Sequence, residues 1–594
     1  MLRPNTHYFD VTLDLRVSRP GDEGLYLAMP VWTPGHYLVE DFSRFVLDLK
    51  AIDRVTGESL ITTKRAKNRW LVEAGLSEDV RIEYSVYAFS YDVDKSYLDQ
   101  SHALINGASV FLYPEGMEAS GITLTLVPNP EWKNVSTGLE RLTEWDFAAA
   151  NYDILVDSPI EVGNQRMDSF NVEGIEHEVS MFGSAPTSVE KFVVDLKSIV
   201  EKTMPVFGQI PYKKYVFLVN FTDDVGGGLE HLNSTMCMVP RLSLAPREEY
   251  NVTMGLFSHE FFHTWNVKRL RPNGLGPFNY GAETYTKSLW IAEGITSYYD
   301  DLILRRAGLY SIEEYLDAFV LNVNILKSLP GSRRQSAEES SFDTWIKFYK
   351  QDPNSQNATS SYYTQGAVIG WMLDMEIRRT TGSTKTLDDV MRKMYAETYL
   401  KEGRGYADGE FESTCRELGG MGVKQIFDSR VRGRDDVDYD MYLGYAGLKL
   451  GEKDDRPARD KGFLGVRISA DGGRTTVKTC LAGSPAEGMG LAVNDEVIGV
   501  DGIRVDAAEL PFFIATRNPG DGVVLTIARN GRLMEVEGDL SRRPVFAYRI
   551  LPAKEASEEQ KGLFRGWLLG DWTPEFKYPE YIHSPARKSS LDFI

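Results

Sequence analysis

The phrase His259-Glu260-Phe261-Phe262-His263 constrains this chain more than any other five residues. Two histidines four apart share a face only if the segment is helical. There they stand one turn above each other and can grip a single metal ion. The glutamate after the first histidine then lies beside the ion, placed to take a proton from a water held there. With 8 histidines in 594 residues, this spacing with a Glu inside it is hard to obtain by accident. The bland alternative is an amphipathic helix carrying two ordinary histidines, and the rest of the chain must decide.

Composition narrows the classes. Apolar content of 42% and charged content of 26% describe a globular protein, and the length suits several domains. A net charge of −20 argues against nucleic-acid binding, which needs a basic face, and against docking on anionic membranes. The short basic runs Lys268-Arg269-Leu270-Arg271 and Arg333-Arg334 read as solvated or salt-bridged surface. Cys237, Cys415 and Cys480 are far apart and odd in number, so they spell neither a disulfide framework nor a thiolate metal site. No signal peptide and no apolar run of membrane-spanning length is legible, so the expected location is the cytoplasm. Nothing in the sequence speaks to oligomeric state.

Periodicity predicts a multidomain α+β chain. Residues 1–168 alternate polar and apolar positions in short runs broken by Pro, Gly and Asn, the pattern of an N-terminal antiparallel β domain. Residues 169–430 predict a second domain with a strand at 215–221 and helices at 186–203, 253–267, 287–306, 312–328, 364–380 and 386–397. Its helical part starts at about 310, and 331–360 reads as a long loop. The charge-rich stretch 431–459 reads as a linker, 460–545 as a compact β-rich module, and 546–594 as a tail with a helix at 557–569.

A hydrolytic zinc site wants three protein ligands and an open position for water. Two acids compete for the third place. Glu293 lies within Leu289-Trp290-Ile291-Ala292-Glu293-Gly294-Ile295, an apolar helical face where an unpaired carboxylate is costly and metal ligation removes that cost. Glu283, closer to His263, stays open as the alternative.

The phrase His259 to Asn266, followed by Leu289 to Gly294, resembles the gluzincin metallopeptidases. The run from His263 to Pro272 more narrowly resembles the glycyl aminopeptidase family, whose members join a gluzincin catalytic domain to a PDZ domain. This resemblance implies a thermolysin-like catalytic domain holding one Zn2+ per chain on His259, His263 and Glu293, with Glu260 as general base. Tyr362-Tyr363-Thr364-Gln365-Gly366 resembles a Tyr-Glu-Lys-Gly phrase whose tyrosine stabilises the oxyanion. Aligned on the glycine, that tyrosine is Tyr363, with Gln365 in place of the usual lysine. Gly227-Gly228-Leu229-Glu230-His231 resembles a Gly-x-Met-Glu-Asn edge strand, although Leu229 and His231 depart from it. Glu230 would bind a substrate's free α-amine, while Gly227 and Gly228 let the backbone lie close to it. Asp300 would support a histidine ligand from behind. Trp32-Thr33-Pro34-Gly35-His36-Tyr37 extends the likeness into the β domain.

Residues Lys461 to Ile468 resemble the carboxylate-binding loop of a PDZ domain, with Phe463, Leu464 and Gly465 at its centre. Gly483 to Leu491 and Asn494 to Gly502 resemble the helix and strand–turn that follow. Such a module takes a C-terminal peptide by strand addition, or it serves only as packing. The expectation is a zinc-dependent aminopeptidase acting on peptides with a free N-terminus, small residues (Gly or Ala) first. Its rivals are a zinc endopeptidase on the same core and a PDZ-based scaffold with a structural metal.

Overall fold

The computed structural model describes residues 1–17, 24–75, 77–223, 225–453, 460–545, 547–579 and 593–594. By its internal contacts the chain forms two compact units, one of Met1–Thr286 with Met391–Asp408 and one of Lys287–Val390 with Gly409–Ile594. Among the described residues no helix is long and apolar enough to cross a membrane.

In the first unit, strand Asp79–Tyr87 shows why the N-terminal region reads as sheet, since buried and half-buried residues alternate along it. It pairs antiparallel with Tyr8–Arg16 and with Val46–Asp53. Further short antiparallel sheets follow, and Trp70, Ile82, Val86, Phe147 and Ile160 meet in one core. The next sheet is mixed, in the order Arg166–Val172, Ile175–Phe182, Lys214–Thr222, Ser234–Pro240, Gly227–Glu230. Lys214–Thr222 is parallel to both neighbours and buried along almost its whole length, which is why its sequence runs apolar without alternation. Gly227–Glu230 forms the edge, antiparallel to Ser234–Pro240.

Two helices cover this sheet. Glu190–Phe207 lies a few residues later than 186–203 and closes on Gly208 in the left-handed conformation. Arg247–Phe262 starts before and stops short of 253–267, and the chain then turns through Thr264 to Leu270. Its rings Phe257 and Phe261 pack at 6.3 and 5.8 Å from Phe217 of the central strand. The basic run that follows is not solvated. Lys268 pairs with Asp157 at 2.7 Å, and Arg269, 4% exposed, donates to the carbonyls of Leu232 and Thr264.

The second unit opens with a π-helical turn, Trp290–Ile295, that runs into helix Thr296–Arg306. Helix Ile312–Ser328 starts on a capping box of Ser311 and Glu314, and Tyr362–Thr381 is buried along most of its length. The stretch 331–360 is not a bare loop. It holds the short helices Ala337–Phe342, with a capping box of Ser336 and Glu339, and Ser355–Ala358. Helix Glu410–Ile426 had no expectation, because Gly419-Gly420 interrupts its pattern and Gly420 sits at φ 64°. Within 431–459 lie helix Tyr439–Gly444 and strand Leu448–Glu452, the latter paired with Tyr548–Pro552; 454–459 is outside the described residues.

The C-terminal β region is a sheet in the order Val466–Asp471, Arg474–Cys480, Glu496–Val500, Gly522–Arg529, Arg532–Asp539, with Ile503–Arg504 off the third strand. Its core includes Leu464, Val466, Val477, Val497, Leu525 and Ile527, with Leu510 and Ile514 from helix Glu509–Ala515. Helix Glu558–Leu568 falls within the expected 557–569 and buries Phe564 and Trp567.

Candidate active site

His259 lies in the last turn of Arg247–Phe262 and His263 caps its end, still with helical backbone angles (φ −60°, ψ −18°). The four-residue spacing therefore keeps both rings on one face, with centroids 4.6 Å apart and planes at 84°. His263 is buried and His259 half-buried. The carbonyl of Asn266 lies 2.6 Å from Nδ1 of His263. A carbonyl only accepts, so Nδ1 carries the proton and Nε2 keeps its lone pair for an ion.

Glu260 is 5% exposed and Glu230 4% exposed. Carboxylate oxygens of both, together with a ring nitrogen of His263, lie within 4.8 Å of one another. Two glycines make room for these acids. A methyl built on Gly228 would stand 2.3 Å from Oε1 of Glu260, and one on Gly35 would stand 2.7 Å from Oε2 of Glu230. Gly35 also takes φ +100°, a conformation that side chains resist. Gly227, at φ +147°, would meet nothing. The resemblance sets Gly228 beside a substrate; in the structure its missing side chain leaves space for Glu260.

The Trp32 to Tyr37 phrase thus comes to the same place as Glu230. A small pocket of about 20 Å³ is lined by Trp32, Gly35, Tyr37, Glu230, Lys268 and Phe278, among others. The far end of the edge strand is anchored by Asp157, which accepts from the Leu232 N–H (2.9 Å) and from Lys268 (2.7 Å), with His231 Nδ1 at 3.1 Å. Burial alone would push the Asp157 carboxyl up, but the Lys268 ammonium and His231 outweigh it and hold it below its ordinary value. A separate group, His36, Glu40 and Asp94, has the Lys95 ammonium within 3.5 Å of both acids, which supplies the positive charge there.

In the second unit, Glu293 sits on the π-helical turn and is 2% exposed. A π turn inserts one residue into the helical register, a device frequent at functional sites. The turn crosses helix Tyr362–Thr381 with backbones almost touching, so that a methyl on Gly294 would meet the Gly366 Cα at 2.4 Å. That crossing fixes Glu293 against the first turn of the helix, where Tyr362 and Tyr363 stack at 4.7 Å. Tyr362 is fully buried, its hydroxyl accepting from Thr344 at 3.0 Å; Tyr363 stays half-buried beside Phe348. Of the pair, Tyr363 is the more exposed.

Of the donors zinc takes in hydrolytic sites, the first unit offers two imidazoles, His259 and His263, and the second a buried carboxylate, Glu293. The proton on Nδ1 of His263 fits that role. Glu283, the competing acid, is half-buried in an irregular stretch and belongs to none of the candidate metal groups among the described residues.

The M61 glycyl aminopeptidase family profile matches residues 252–369, and the M61 peptidase N-terminal domain profile matches residues 1–164. No curated protein matches the chain. A solved aminopeptidase N family protein from Idiomarina loihiensis is 29% identical, covers 95% of this chain and 98% of its own, and superposes with a TM-score of 0.88. Yeast LTA4 hydrolase is 14% identical over 73% of this chain and 64% of its own, at a TM-score of 0.41. The M1 zinc metallopeptidase of Deinococcus radiodurans is 11% identical over 72% and 90%, at 0.42.

Proposed function

With the chain a zinc metallo-aminopeptidase of the M61 glycyl aminopeptidase family, we propose that it removes small N-terminal residues, glycine or alanine, from peptides. One zinc per chain would be held by His259, His263 and Glu293. When bound, the ion polarises the scissile carbonyl and acidifies water. Glu260 takes the proton from the attacking water and returns it to the leaving amine. Tyr363 donates its hydroxyl to the oxyanion. Glu230 pairs with the substrate's ammonium, and the open edge of Gly227–Glu230 receives the substrate backbone by strand addition.

One observation carries the reading: Glu230, Glu260 and His263 converge within 4.8 Å. From an amine nitrogen to the carbonyl carbon of the same residue is only about 2.5 Å. A free amine held at Glu230 therefore presents the first peptide bond, and no later one, to Glu260. An internal segment brings no charge to match the buried carboxylate, which works against endopeptidase action. The small volume of the pocket beside Glu230, about 20 Å³, supports a small first side chain.

Residues 460–545 we read as a PDZ-type module. Gly465 turns the loop at φ +85°, and a methyl there would strike Cβ of Ser484 at 2.3 Å. Cys237, Cys415 and Cys480 are free thiols, which suits the cytoplasm.

The test combines metal analysis with kinetics on glycyl and alanyl reporters and their N-acetyl forms. Wild type should hold one zinc and cleave free-amine substrates far faster than their acetylated forms. Glu260→Gln should keep zinc and lose activity by about 10³-fold. Equal cleavage of acetylated substrates would make the enzyme an endopeptidase. Zinc without turnover in wild type would favour a scaffold.

A further inference from the structure

Phe593 and Ile594 lie apart in sequence from every other described residue, since 580–592 are outside the described set, yet Phe593 is buried and Ile594 half-buried. The Ile594 N–H donates to the Val466 carbonyl at 3.0 Å. The Ile594 oxygen accepts from three successive backbone N–H groups, Leu464 at 3.1 Å, Gly465 at 2.5 Å and Val466 at 3.4 Å. Three backbone donors thus converge on one oxygen. The Ile594 side chain packs on the core of the β module. Phe593, 1% exposed, is enclosed by Phe463 and Leu481 of the module and by Leu329, with Ile325 of helix Ile312–Ser328 against them. Beside that cluster, the Asn357 amide donates to the Cys480 carbonyl (2.8 Å) and accepts from the Ala482 N–H (2.8 Å).

These contacts use the loop Phe463-Leu464-Gly465 in the way a peptide-receiving groove uses it, by strand pairing plus a cluster of backbone donors. We propose that the groove of the 460–545 module is already occupied by a ligand from its own chain, the apolar pair Phe593–Ile594, and that this pair competes with any outside peptide ending in similar residues. The proposal rests on the PDZ-type reading above and goes beyond it by naming the occupant. It also gives the tail a task, because Phe593 fills the seam between the module and the helical segment carrying Leu329.

Tethering sets the expected size of the effect. A ligand on the same chain competes at an effective concentration of about 1 mM. A groove of about 10 μM affinity would then be about 99% self-occupied, and an outside peptide would bind about 100-fold more weakly than to an open groove.

The experiment is fluorescence anisotropy with a labelled peptide of residues 590–594 bearing a free carboxylate, and its C-terminal amide as control. It is run on the full chain, on a chain lacking Phe593 and Ile594, and on a chain extended by two glycines after Ile594. The extended chain keeps every native residue, so a folding defect of the truncation cannot mimic its result. The expected outcome is tight binding to both altered chains, binding to the full chain weaker by 10-fold or more, and no binding of the amide. Equal binding to full and altered chains would overturn the internal ligand while leaving the groove as a peptide receptor. Binding to none of them would overturn both the internal ligand and the PDZ-type reading.

Discussion

We propose that two places in this chain hold the end of a peptide, and they would use opposite devices. In the first unit a buried carboxylate, Glu230, faces the place where a cation would sit. In the second, three backbone N–H groups at Leu464, Gly465 and Val466 face an oxygen. A buried charge carries a desolvation penalty and must be supported, which the structure does with the Gly35 clearance and the Asp157 lock at the strand's end. Backbone donors are part of the fold already and need only a loop of the right curvature, which Gly465 provides. The first device is therefore close to all-or-none, whereas the second yields by increments of side-chain size.

The largest expected effect tests the clearance on the charged side. Gly228→Ala places a methyl 2.3 Å from Oε1 and 2.5 Å from Cδ of Glu260, so the base must move. We expect kcat to fall by about 10³-fold with zinc content unchanged, since general-base catalysis depends on sub-ångström placement. A fall of less than tenfold would show that Glu260 does not act from this position. Next comes Glu230→Gln, which keeps the shape and removes the charge. Losing one partner of a buried ion pair removes about 2–5 kcal/mol, so kcat/KM on free-amine substrates should drop by roughly 30-fold or more. Residual activity on acetylated substrates should not change. Equal losses on both would mean that Glu230 holds the site's structure rather than the amine.

How much of this contrast was legible in the sequence differs between the devices. The histidine pair and Glu260 could be read directly, because i, i+4 spacing survives even though the helix ends at Phe262 rather than 267. The setting of Glu293 could not, since a π turn shifts the register by one residue and leaves no periodic trace. Nor could the partnership of Gly35 with Glu230, 195 positions apart, which exists only in the folded chain. The glycines at 419 and 420 hid a helix, while the Ser336–Glu339 capping box inside the expected loop was a local signal that went unread. Phe593–Ile594 carried the weakest trace of all, two apolar residues after a polar stretch.

Acid separates the two devices further. Burial pushes His102 down to about 4, with Asp99 opposing it only in part. Burial likewise pushes His177 down to about 4 against the Ile175 carbonyl. His177 lies on strand Ile175–Phe182, and His102 stacks on Phe182 at 3.6 Å, so both report on the sheet whose edge carries Glu230. A histidine with a lowered folded pKa binds its proton more readily when unfolded. Its stabilising effect is therefore complete above the unfolded value of about 6.5, declines as pH falls, and levels off below about 4. At pH 5 each should remove roughly 2 kcal/mol. Residues 460–545 contain no histidine. Between pH 7 and 5, hydrogen exchange corrected for intrinsic rate should show lost protection in Ile175–Phe182 and none in Glu496–Val500. His177→Phe should reduce the loss. Parallel losses in both strands would remove the contrast.

The smallest effect probes the increments on the backbone side. Ile594→Val removes one methylene from a side chain packed on the module core and leaves every backbone hydrogen bond to Leu464, Gly465 and Val466 in place. A change of this kind in a packed site is worth about 1 kcal/mol, or about a fivefold change in occupancy. An outside peptide ending in Phe-Ile should therefore bind the Ile594→Val chain about fivefold more tightly than the native chain, by anisotropy at constant salt. The ratio should be the same at pH 7 and pH 5, because no titrating side chain takes part in the cradle. A ratio near one would place the affinity in the backbone alone. A 100-fold ratio would make the side chain the anchor, and the groove would then resemble the Glu230 site in its all-or-none demand.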